Sequence, residues 1–226
     1  MGVTVSEFAA LMQGLGAIAG VGAVFYAAHK AANTFSSWRN QKIVERHIDQ
    51  AEKILIATYR VQRALSSVRA PMMLAHEIGM AQEILDQKKV WETVPEENRA
   101  NVRHAQVYHS RLGRIEDDQR LLFDHIPVAR ALFGNDLEKH MSELGRKFQE
   151  VWFAVDDLMR LRPDDPIEAR NLVNETLSFR AISGKPNEMT LAIDGLVKKI
   201  EDVCLPIIRS EAKKTNWWGL ESKRQG

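Results

Sequence analysis

Residues 8–28, FAALMQGLGAIAGVGAVFYAA, contain no charged side chain. A helix of that length rises about 32 Å, the thickness of a bilayer's hydrocarbon core. An uncharged run this long belongs in a membrane, on its surface or in a buried core, and the flanks select among these. Glu7 is the one charge before the run, whereas Lys30, Arg39, Lys42 and Arg46 follow it. By the positive-inside rule the amino terminus lies outside and the rest of the chain is cytoplasmic. The sequence therefore predicts a single-pass protein of the cell membrane, with the bilayer itself as a partner.

Two shorter readings of the same segment fail. GLGAIAG, residues 14–20, spells a dinucleotide-binding turn, but no β-branched strand precedes it and residues 33–37 offer no carboxylate for a ribose. A cleaved signal peptide needs a basic start and a shorter apolar core. The opening MGVTVS, with Gly2 and Ser6, also fits a myristoylation pattern, which a spanning helix would make unnecessary.

Within a bilayer the small residues become contact points. Gly16 and Gly20 form one close-packing pair, and Ala19, Ala23, Ala27 and Ala31 continue a second ridge at four-residue spacing, which predicts a homo-oligomer through this helix. Tyr26, His29, Lys30, Trp38, Arg39 and Lys42 are placed for the inner interface, where anionic lipids attract cations by about 1 kcal/mol each. Trp217 and Trp218, among Lys213, Lys214, Lys223 and Arg224, suit a second interfacial anchor or a docking peptide.

From Arg39 onward apolar residues recur every three or four positions. Val44, Ile48, Ala51 and Leu55 form one stripe, with Ile54, Val61, Leu65 and Val68 beside it until Pro71. A shorter helix places Leu74, Ile78, Ala81 and Leu85 inward. One long helix is expected from near Glu97 through Ile126, with Ala105, Tyr108, Leu112, Ile115 and Leu122 on its seam. The strictest heptad runs Leu137, Met141, Leu144, Phe148, Val151, Val155 and Leu158, after a predicted cap at Asn135. Asp165 is expected to cap the next helix, which should run to SGKP. Asn187 then caps the last, whose seam is Met189, Ile193, Leu196, Ile200, Val203 and Ile207, kinked near Pro206.

No segment alternates like a half-buried strand. The expected fold is all-α: one amino-terminal transmembrane helix and a cytoplasmic antiparallel bundle of four or five long helices. The corresponding regions are an anchor segment at 1–35, the bundle at 36–214 and a tryptophan-rich basic tail at 215–226.

Catalytic motifs are not evident. No Glu-x-x-His pair precedes any histidine, and HEIGM at His76 has Met80 where a zinc helix needs its second histidine. Asp136 and His140 share a face, as do His104 and Tyr108. These read as a surface pair and a buried hydrogen-bonded pair. Asp156, beside Val155, points inward, while Ser66, Ser67 and Arg69 cluster at a helix break that reads as a solvated turn. Cys204, the only cysteine, follows the last seam and reads as a core hydrophobe. The formal net charge of +1 gives no field for nucleic acid, and no cofactor or metal is called for.

The function this predicts is a membrane-anchored scaffold, sensor or effector that binds an unknown protein partner. Two alternatives are an enzyme using Asp156, His104, His109 or His140 between helices, and an oligomerising, membrane-perturbing effector.

Overall fold

The computed structural model describes the backbone of residues 5–162, 164–179 and 186–221, and the side chains of Val24 and residues 26–31, 34–162, 164–179 and 186–209. Among them every regular element is helical: α1 (Val5–Val68), α2 (Ala75–Gln87), α3 (Arg99–Arg114), α4 (Glu116–Phe133), α5 (Asn135–Arg160), α6 (Ile167–Leu177) and α7 (Glu188–Glu221). Two single 3₁₀ turns, Val90–Glu92 and Glu96–Asn98, connect α2 to α3. The chain divides into two compact units, Met1–His47 and Ile48–Gly226.

Among the described residues of the first unit α1 is the only element. Every described side chain from Val24 to Arg46 is exposed, including Tyr26, Phe35, Trp38, Ile43 and Val44. Val44, expected on the buried stripe, is thus exposed. The described residues contain no helix long and apolar enough to cross a membrane. Most side chains of the expected span at 8–28 lie outside the described residues.

The second unit is a helical bundle organised by α5, which packs against α3, α4, α6 and α7. Its heptad explains that centrality: Leu137, Met141, Leu144, Phe148, Val151 and Val155 are all buried. Each buried aliphatic or aromatic side chain contributes about 1.5–3 kcal/mol, so one uninterrupted seam secures several neighbours at once. Residues 48–68 add Ala51, Ile54, Leu55, Val61, Leu65 and Val68 to the same core, and α7 adds Met189, Ile193, Leu196, Ile200 and Cys204. Gly145 brings α4 close, since a Cβ there would lie 2.9 Å from the Phe123 ring.

Several boundaries differ from expectation. The long helix through Ile126 is two helices, broken at Ile115, where φ −108° and ψ 9° leave the helical path. Arg111 and Arg114 close α3, and Glu116, Asp117 and Asp118 open α4, so both ends match their helix dipoles. Asn135 is the first residue of α5, with Gly134 in the cap position and no side-chain capping bond. Asp165 does not cap α6 either: its Oδ2 accepts from Arg162 N at 2.8 Å, and Pro166 precedes the helix. α6 ends at Leu177, before SGKP, most of which lies outside the described residues. Asn187 behaves as expected, its Oδ1 accepting from Thr190 N at 2.8 Å. Leu74, expected inward, is 49% exposed, because it stands ahead of α2 and turns its backbone toward Glu77 instead.

Candidate functional site

Three clusters of polar side chains stand out, one on α1 and two in the bundle. The α1 cluster holds the expected interface residues: Lys30, Trp38, Arg39 and Lys42 are exposed, as is Ala27. Phe35 and Trp38 pack ring on ring at 5.9 Å, and Lys42 pairs with Glu45 at 2.7 Å. Gly16, Gly20 and Ala23, expected to pack against another helix, lie outside the residues with described side chains, as do Trp217 and Trp218.

The second cluster surrounds the α1–α2 connection and corrects the reading of Arg69. That side chain is 1% exposed. Its Nε donates to Thr176 O at 2.7 Å, and its Nη2 to Ser178 O at 2.6 Å and Asn187 Oδ1 at 2.7 Å. Asn187 Nδ2 in turn donates to the carbonyls of Glu175 and Ser178 at 2.8 and 2.9 Å. A helix end leaves its last carbonyls unpaired, and the carbonyl end of the dipole favours a cation. Arg69 and Asn187 together satisfy the end of α6 while Asn187 starts α7. Burial pulls the Arg69 pKa down to about 10, which leaves the guanidinium charged at neutral pH.

On the other side of the connection Arg111 saturates its fork. It donates to both Glu77 carboxylate oxygens at 2.9 and 2.6 Å, and to the carbonyls of Ala70 and Met72 at 2.6 and 2.7 Å. Glu77 also accepts from Leu74 N at 3.0 Å. The hydrogen bonds from Arg111 hold its pKa down at about 2. Every donor of this bidentate pair is engaged within the protein, so the cluster fastens the loop. Arg111 and Glu77 carry no mark in the sequence, because the helical pattern sets which face a residue occupies and not which loop carbonyl faces it.

The third cluster joins two of the four residues expected for an enzyme site. His109 Nε2 on α3 lies 3.6 Å from Asp156 Oδ1 on α5, and the Trp152 ring stands edge-on to His109 at 5.1 Å. Burial pulls the His109 pKa below its ordinary value, with Asp156 opposing and Lys88 reinforcing that shift. Trp152 also borders a cavity of about 390 Å³ lined by Leu112, Gly113, Glu116, Phe148 and Gln149. The other two candidates lie elsewhere. His104 is exposed, and Tyr108, its expected partner, donates instead to Leu177 O at 3.3 Å. His140 sits sixteen residues before Asp156 on α5, about 24 Å along the axis.

Among the described residues no three His, Cys, Asp or Glu side chains are placed to hold a metal ion. Cys204 is fully buried, and burial pushes its thiol up to about 11, which suits the core role expected of it. No protein-family model matches the chain, and neither a curated protein nor a solved structure matches it significantly.

Proposed function

We propose that the chain is a membrane-anchored interaction module: α1 carries the anchor, and the bundle presents a face to a protein partner at the cytoplasmic surface. The observation that carries this reading is α1 itself, one helix whose sequence is uncharged over residues 8–28 and whose described side chains from Val24 to Arg46 are all exposed. Apolar groups such as Val24, Phe35 and Trp38, 69%, 62% and 54% exposed, are stabilised when a bilayer or another helix covers them. Self-association through Gly16, Gly20, Ala23 and Ala27 belongs to the same proposal. Protease treatment of sealed membranes tests the topology. The bundle should be digested only when the cytoplasmic side is exposed, and digestion from the opposite side would refute the orientation.

A second reading, a ligand or catalytic site at His109 and Asp156, has one observation in its favour: the two groups meet between α3 and α5 beside Trp152, which borders the cavity. A small-molecule screen by thermal shift tests it. Hits that persist unchanged in the His109→Asn protein would remove the pair from any such site.

A further inference from the structure

Resting on the membrane reading, we propose that one stripe of α1 binds anionic phospholipid headgroups and holds the helix leaning against the membrane surface. At about 100° per residue, Val24, Ala31 and Trp38 fall within about 60° of Phe35 around the helix. Arg39, Lys42 and Arg46 fall within about 40° of the same line. One face therefore passes from apolar to cationic along the axis. The opposite side carries Ser37, Asn40 and Gln41 at the level of these cations, with Tyr26 and Lys30 before them and Val44 after.

Charge identifies the occupant. Residues 24–46 hold four cations against one carboxylate, Glu45, and three of them, Arg39, Lys42 and Arg46, lie on the stripe while Lys30 lies on the opposite side; the whole chain is balanced to +1. Among the described residues neither Arg39 nor Arg46 has an ion-pair partner, while Lys42 is tied to Glu45. The packed Phe35 and Trp38 rings, both more than half exposed, form a wedge directly beside these cations. Aromatic rings at the level of the headgroups with arginine and lysine on the water side is the chemistry that anionic bilayers recognise.

Axial distance fixes the posture. Trp38 lies ten residues past Ala28, about 15 Å along the helix, whereas the headgroup layer is only about 5–8 Å deep on each side. An upright helix would lift Trp38 and the cations clear of the headgroups, Arg46 well beyond a Debye length of about 8 Å. Contact requires α1 to lean with the Phe35 face down, and membrane helices tilt by up to about 40°. At that tilt an extended side chain brings Arg39 to the headgroups and leaves Lys42 within a screening length of them, with Arg46 at its edge.

The test uses the full chain with Cys204→Ala, carrying a spin label at Ala31→Cys on the stripe or Ser37→Cys opposite it. The protein is reconstituted in phosphatidylcholine vesicles with or without phosphatidylserine. With phosphatidylserine the label at 31 should be several-fold less accessible to a water-soluble relaxation agent than the label at 37. Ala31 lies about 9 Å deeper along the axis than Ser37, so a smaller difference remains for an upright helix; the asymmetry should fall to that level in phosphatidylcholine alone, at high salt and in R39Q/K42Q/R46Q. Equal accessibility at both positions with phosphatidylserine, or an asymmetry untouched by the triple substitution, would overturn the proposal. Dipolar broadening between labels at 31 would overturn it in favour of a second copy on this face. Extraction by alkaline carbonate separates the two claims: a chain retained in vesicles without the asymmetry loses only the stripe, and an asymmetric chain that is extracted loses only the spanning anchor.

Discussion

A guanidinium removed from water must send its N–H groups to acceptors, and Arg69 finds them where α6 ends and α7 begins. Carbonyls of α6 and the Asn187 side chain share it, so truncation exposes several unmet groups at once. Arg69→Met should cost about 3 kcal/mol or more in urea unfolding, and Arg69→Lys should recover only a small part, because one ammonium cannot span the same acceptors. A loss below about 1 kcal/mol for Arg69→Met would contradict this role. Glu77 gives a pH signature. Its folded pKa is about 2 against an ordinary 4.5, so its stabilisation is complete above pH 4.5 and is lost as pH falls toward 2. Melting temperatures should show Glu77→Gln less stable than the parent at pH 7, with the gap narrowing between pH 4.5 and 2. A constant gap would place the effect elsewhere. Neither arginine was legible as a fastener in the sequence. Arg69 stands beside Pro71 like any turn residue, and its burial depends on helix ends more than a hundred residues away in the chain.

At the scale of elements, the parts legible in the sequence were those written in a local period. The α5 seam from Leu137 to Val155 is buried residue for residue, and the α7 seam is buried through Ile200. The α3–α4 break was not legible from periodicity, since Ile115 keeps the apolar rhythm across it. Only the change from Arg111 and Arg114 to Glu116, Asp117 and Asp118 marks a helix end there. The α4–α5 break rests on a single residue. Gly134 has φ 95° and ψ 178°, a conformation essentially reserved for glycine. Gly134→Ala should therefore destabilise the bundle by about 1–3 kcal/mol. Gly113→Ala, inside α3 with open space at its Cβ position, should be neutral or stabilising by up to about 1 kcal/mol. Urea midpoints of the two variants check the contrast, and a tolerated alanine at 134 would contradict it.

At the scale of the whole molecule, the all-helical class is present as expected among the described residues, the core is organised on α5, and the functional reading turns on α1. The candidate site was legible there as composition: the uncharged run, the aromatic residues and the cations that follow. What the sequence could not convey was the exposure of Phe35 and Trp38; the absence of Gly and Pro between Lys30 and Val68 already allowed one continuous helix, and helical spacing then sets Phe35, Trp38, Arg39, Lys42 and Arg46 on one face. A 21-residue uncharged helix in hydrocarbon has no unpaired backbone group and is held by its apolar area, so salt and alkali cannot release it, whereas an electrostatic surface contact is released by either. Alkaline carbonate extraction of membranes carrying the full chain, followed by flotation, measures that difference directly. The protein is expected to remain in the floated membranes at high pH and to be released only by detergent; recovery in the carbonate supernatant would contradict the anchor on which the proposed function rests.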